Sequence, residues 1–435
     1  MPILSALMRS FHPASPTVVA VVNRIDRMAP DFYGLSMRKS TLALTLSSCL
    51  VGLVAMAGVP AHAGAAGRGE LLSAVPITTL TPVRVTDLLA GHAIDTASVR
   101  YGVDAYRLEY RTRGPDGRPI IASGAVALPR GGRDRYGTVV FQHGTIAAKA
   151  EAGSVNSDSN RLAPITFAAA GYVTVAPDYL GLGTGQGEHP YLDLPTETSA
   201  SVDMLHAADT FTRRLSRPMD RRVFISGFSQ GGPAALALGR ALQAGADPRF
   251  SVRAIAGVSG VYDLFGTQFP GALNGTIVPK LATISTAYYM VAMNRLYDIY
   301  GEPSRAFRAP YDEVMEALFD GRHSGQDIAA KLPDAPTELL TDWAVEQLRR
   351  PAGPMLRAAR ASDGACAGWR PHVPVRLFAG TGGDELVPIG NSLQCQEAFR
   401  SRGVRAPIVD LGEVDHNTSA KRAYPLVLEF FASHE

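Results

Sequence analysis

The sequence predicts an α/β fold, with a mostly parallel central sheet flanked by helices and one large helical insertion. Three observations lead there. Short apolar runs without polar alternation recur at 137–142, 172–176, 221–226, 252–258, 375–379 and 408–411, as strands buried on both faces do. Helix-period stretches separate them, which is the rhythm of a parallel sheet. That rhythm fails from 262 to 368, where no strand pattern stands out and helical patches fall at 283–300, 311–319 and 338–349. This stretch reads as a helical cap inserted before strand 375–379, between two parts of a core, 101–261 and 369–435. A chain of 435 residues that is 46% hydrophobic can bury such a core.

The first 63 residues stand apart. Met37-Arg38-Lys39 is a basic start, 41–59 is an apolar run, and Pro60-Ala61-His62-Ala63 is a small-residue end. That is the pattern of a secretory signal peptide, 37–63, with cleavage after Ala63 and a secreted or periplasmic product. Residues 1–36 precede it and read as a non-native extension, with Met37 the true start. A membrane anchor is the rival reading of the apolar run, weakened by Ser47, Ser48, Gly52, Gly58 and Pro60. Leu46-Ser47-Ser48-Cys49 also has the look of a lipobox, although the apolar run continues past Cys49.

Residues 64–100 begin small, polar and Pro/Gly-rich and read as a mobile leader. A strand at 103–112 with alternating Tyr106, Leu108 and Tyr110 runs into the turn Gly114-Pro115-Asp116-Gly117, and 120–128 is its hairpin partner. A helix at 160–170 ends at Gly171. Another at 196–215 carries Ala200, Met204, Leu205, Ala208 and Phe211 at helical spacing. Helices at 391–402 and 420–431 complete the core.

The chemistry sits at Gly227-Phe228-Ser229-Gln230-Gly231. An apolar strand runs into this G-x-S-x-G pattern and an Ala/Leu-rich helix leaves it, the setting of a nucleophile elbow. Tight turns favour glycine, and a serine at a helix N-terminus meets N–H groups that favour negative charge. A serine hydroxyl is a weak nucleophile and needs a base held by a carboxylate. Asp384 lies in a glycine-rich turn directly after strand 375–379, with Glu385 its competitor. His416 lies on the loop after the last strand; Asp415 adjoins it too closely to face its ring, and His372 and His434 are placed wrongly. The order Ser229, Asp384, His416 makes a catalytic triad. The N–H groups of Gln230 and Thr145 are the expected oxyanion donors, Thr145 because His143-Gly144-Thr145 follows an earlier strand. His143 itself reads as structural.

Composition narrows the partners. Charged residues are 19% and the net charge is +2, which points to no nucleic-acid partner. Three cysteines without C-x-x-C or a His-rich cluster suggest no metal, and no cofactor is expected. Gly183-Thr184-Gly185-Gln186-Gly187 lacks the lysine of a phosphate loop and reads as a plain loop. Once a signal is removed, Cys366 and Cys395 remain in an oxidising compartment, and a disulfide between them would stabilise by about 3–4 kcal/mol. In the cap, Tyr288, Tyr289, Met290, Met293, Leu296 and Tyr297 form an apolar stripe. Tyr289 and Met293 are its candidates for substrate contact, with ordinary packing the alternative.

On these motifs 100–435 resembles the α/β-hydrolase superfamily. More narrowly, it is similar to secretory lipases and related extracytoplasmic esterases. That resemblance rests on Gln142-His143-Gly144-Thr145, on Ala176-Pro177-Asp178-Tyr179-Leu180-Gly181-Leu182-Gly183, on the elbow, and on the cap before Asp384. It implies hydrolysis of carboxylic esters, often of acyl glycerols, with the cap forming an acyl tunnel at a lipid–water interface. An oxyanion-hole aspartate found in some members is not carried over, since His-Gly-Thr stands at its place. A serine peptidase or an acyltransferase on the same fold are the near alternatives, and a non-catalytic binding protein the remote one.

Overall fold

The computed structural model describes residues 67–131, 136–156 and 159–435. The signal-peptide, extension and lipobox readings fall outside these. Nine strands form one sheet: β1 (Leu71–Leu80), β2 (Gly102–Arg113), β3 (Pro119–Arg130), β4 (Tyr136–Gln142), β5 (Tyr172–Pro177), β6 (Met219–Phe228), β7 (Ser251–Val258), β8 (Val375–Ala379) and β9 (Ile408–Asp410). Their spatial order is β1-β2-β3-β5-β4-β6-β7-β8-β9. Pairing is antiparallel from β1 through β5 at the first edge, and parallel from there to β9.

The expected leader is a correction. Residues 71–80 pair with β2, and the helix α1 (Pro82–Gly91) follows with Thr81 as N-cap and proline at its start. β1 escapes a sequence reading because it is an edge strand, largely solvent-facing and interrupted by Pro76. Edge strands tolerate proline because one row of their N–H groups has no ladder partner.

Neighbouring residues of the central strands face opposite ways, so the sheet is buried twice. Val140, Ile225, Ile255 and Leu377 meet the helices α3 (Leu194–Arg214), α4 (Gly231–Gln243) and α6 (Gly390–Arg400). Val139, Phe224, Ala254 and Phe378 meet α1, α2 (Leu162–Ala170) and α7 (His416–Ala432). Phe224 stacks on Phe431 of α7 at 4.8 Å. This two-sided burial is why the strands read as continuous apolar runs.

Between β7 and β8 the chain builds a helical layer with its own apolar cluster. Its longest element is α5 (Pro279–Tyr297), ringed by shorter helices from Phe269–Asn274 to Gly353–Ser362. Proline at the first turn starts α5, Phe269–Asn274, Pro303–Ala306, Pro336–Leu339 and Gly353–Ser362. Proline fits there because the first N–H groups of a helix have no partner in it. The patches at 311–319 and 338–349 are each broken in two, the first at Val314 and the second at the N-cap Thr341. Cys366 and Cys395 form a disulfide with Cα atoms 5.2 Å apart, tying the end of this layer to α6.

Candidate active site

Ser229 occupies the turn between β6 and α4 with φ of 56°, a left-handed conformation that serine adopts at a cost. The turn holds it there: its N–H donates to Val258 O at 2.9 Å and its carbonyl accepts from Gly232 N–H at 2.9 Å. Both flanking glycines are required sterically. A Cβ on Gly227 would run into the Gly231 carbonyl, and one on Gly231 into the Gln142 carbonyl.

His416 is the first residue of α7 rather than a loop residue as expected. Asp415 caps that helix, accepting from Thr418 N–H at 2.9 Å, which is why it cannot serve the ring. His416 Nε2 lies 2.9 Å from Ser229 Oγ, and Nδ1 lies 3.0 and 3.1 Å from the two Asp384 oxygens. With Nδ1–H donating to the carboxylate, Nε2 presents its lone pair to the hydroxyl. Asp384 Oδ1 is fixed by the N–H groups of Leu386 and Val387, at 3.1 and 2.8 Å. Glu385, its competitor, instead accepts from the His416 backbone N–H at 3.1 Å. Phe228 packs against the imidazole at 4.6 Å, and Ser229 and His416 are both buried.

Two cavities meet at Ser229. One, of about 750 Å³ including its open mouth, is mainly apolar and runs under the cap between Val261, Phe269, Ile284, Tyr289 and Val387. The other lies between Phe141, Asn160, Phe228, His416 and Asn417 and is more polar. Thr145 and Leu386 line both. Thr145 Oγ1 is 3.0 Å from the Tyr191 hydroxyl, whose ring stacks on Tyr288 of α5 at 4.3 Å. Of the two cap candidates, Tyr289 lines the apolar cavity and hydrogen-bonds Ser362 at 2.9 Å. Met293 does not line it. A helical turn beyond Tyr289, it is fully buried in the apolar cluster of the cap.

A buried polar layer lies behind the turn; the sequence marks its His143, Asp178, Gly183 and Gln230 but not the side chains that partner them. Asp178 accepts from Ser123 Oγ at 2.7 Å and from both the N–H and the hydroxyl of Ser154, and burial pushes its carboxyl up. Gly183 in the same loop is required, since a Cβ there would strike Asp178 and Ser123. His143 packs on Tyr179 with ring centroids 4.3 Å apart, and burial pulls its imidazole down, so it is a neutral wall of the site. Gln230, fully buried, donates from Nε2 to Glu197 at 2.7 Å and to His189 at 3.0 Å. Glu197 lies in the first turn of α3, a common place for an acid whether or not it is buried, so sequence alone does not single it out. Among the described residues no group of three or more His, Cys, Asp or Glu side chains is arranged to hold a metal.

No protein-family model matches the chain, and no curated protein does. Solved structures do. A Legionella pneumophila protein provisionally classed as a hydrolase superposes with a TM-score of 0.77, at 25% identity over 84% of this chain and 98% of its own. A variant of the rice cell wall degrading esterase LipA from Xanthomonas oryzae gives 0.76, at 28% identity over 85% and 100%. Candida antarctica lipase A shares the fold at 13% identity, with a TM-score of 0.57 over 80% and 78%.

Proposed function

From a chain that has the α/β-hydrolase fold and is a hydrolase similar to esterases and lipases, we propose that it cleaves carboxylic esters through an acyl-enzyme. The observation that carries this reading is the unbroken chain Asp384–His416–Ser229 at the junction of two cavities. An ester bound across that junction has its acyl group in the apolar cavity and its alcohol in the more polar one. Ser229 Oγ attacks the carbonyl carbon while His416 Nε2 takes its proton, and Asp384 holds the resulting imidazolium. The N–H groups of Gln230 and Thr145 receive the oxyanion, each such donor contributing about 3–4 kcal/mol to the transition state. His416 returns the proton to the leaving alcohol, and water then repeats the sequence on the acyl-enzyme.

The apolar cavity supports an acyl group as the recognised half and a lipid–water interface as a place to find it. Export with cleavage after Ala63 belongs to the same proposal, supported by the disulfide in the described chain. The test is hydrolysis of p-nitrophenyl esters of two to sixteen carbons by residues 64–435, beside Ser229→Ala. Activity that the variant loses supports the reading, and a folded protein inactive at every length refutes it.

A further inference from the structure

Gln230 has two tasks that meet in one residue. Its backbone follows the nucleophile, while its side chain points away into a sealed pocket formed by Glu197 and His189. His189 Nδ1 lies 3.0 Å from the Leu180 carbonyl and must donate to it, which leaves Nε2 to accept from the Gln230 amide. Both hydrogens of that amide are therefore committed. We infer that Glu197 is a positioning residue, acting as an uncharged acid that locks the Gln230 side chain and thereby the oxyanion-binding N–H of Gln230. This rests on the ester-hydrolase reading for its catalytic meaning.

The geometry argues for the neutral form. Among the described residues no lysine or arginine forms an ion pair with Glu197. Its Oε2 and the Oε1 of Gln230 are both buried acceptors that find no donor in bonding geometry. Two stranded acceptors in one pocket call for a proton, and a carboxylic O–H supplies one. Burial is the largest influence on the Glu197 carboxyl; the Gln230 amide pulls it down, Asp193 pushes it up and the Leu192 N–H pulls it down less, leaving it raised to about 8. The other titratable groups facing it are His189, Tyr179 and Tyr191, with Asp193 at the helix cap. Burial keeps His189 neutral, pulled down to about 3, and keeps both tyrosines protonated. An ionised Glu197 would put a negative charge behind the site where the oxyanion forms, in a medium that screens it poorly.

Two readouts test this. The rate at which a fluorophosphonate labels Ser229 depends on the oxyanion site but needs no ester substrate, and kcat and KM on a p-nitrophenyl ester report turnover. Glu197→Ala is expected to lose tenfold or more in labelling rate and kcat with KM changed less than twofold. Glu197→Gln, a neutral isostere, is expected to recover both to within threefold and to hold its rate above pH 8, where the parent enzyme declines. An Ala variant within twofold of the parent overturns the inference, as does a Gln variant as slow as Ala or one keeping the parent's alkaline decline. Should the Ala variant not fold, the Gln pH profile decides alone. A parent protein that is labelled but hydrolyses no ester refutes the ester reading, and the labelling rates still judge Glu197.

Discussion

At the scale of single residues, two adjacent carboxylates offer a sharp contrast. Asp384 faces the imidazole of His416, whereas Glu385 holds only its backbone N–H. Asp384→Asn exposes Nδ1 to an amide that can select the wrong tautomer, and kcat should fall by about 10³–10⁴-fold. Glu385→Gln keeps an acceptor for the N–H and should cost less than about threefold, since it leaves the reacting atoms alone. Steady-state kinetics of the pair, with circular dichroism to check folding, separates the roles. Comparable losses from both variants would contradict this division. The positions of Ser229, Asp384 and His416 were legible because each follows a strand in a fixed order, and loops after parallel strands converge on one edge of the sheet. Which of Tyr289 and Met293 meets the cavity was not legible, for the opposite reason. On a helix wrapped by apolar neighbours, spacing does not reveal which side faces a cavity and which faces other helices.

At the scale of elements, α3 and the loop before it carry a pH dependence of stability. Glu197 has its folded value raised to about 8 from an ordinary 4.5, so the folded state keeps a proton that the unfolded state gives up. That contribution is full below 4.5 and is lost as pH climbs to 8. His189 is lowered to about 3 from 6.5, so its contribution is full above 6.5 and is lost as pH falls to 3. Between 4.5 and 6.5 the two slopes oppose each other. Urea midpoints should therefore drop from pH 6.5 to pH 8 in the parent and drop less in Glu197→Gln; equal drops would remove Glu197 from the account. In the cap, Ile284 lines the apolar cavity from α5. Ile284→Trp should fill the space and move the preferred ester toward shorter chains, read as kcat/KM against acyl length; an unchanged optimum would place the acyl group elsewhere. The central strands and their helices were legible because burial on both faces leaves a plain apolar signature. β1 was not, since an edge strand with Pro76 and exposed side chains has the composition of a linker.

At the scale of the whole molecule, the Cys366–Cys395 bridge joins the last stretch of the insertion to the helix after Asp384. Replacing both cysteines with serine should lower unfolding free energy by about 3–4 kcal/mol on the chain-entropy account, measured by urea denaturation. No change would mean that the surrounding packing already restrains the loop. The insertion itself has a further consequence. β7 and β8 lie side by side and parallel, from Ile255↔Val375 to Val258↔Phe378. A chain leaving the far end of one and starting the near end of the next must travel back along the sheet, which takes about a dozen residues at least. Residues 259–374 make that return by a detour over Ser229. The endpoints of the journey are dictated by the sheet, but its route is free. That stretch can therefore change in length or course without moving the paired strands on either side of it.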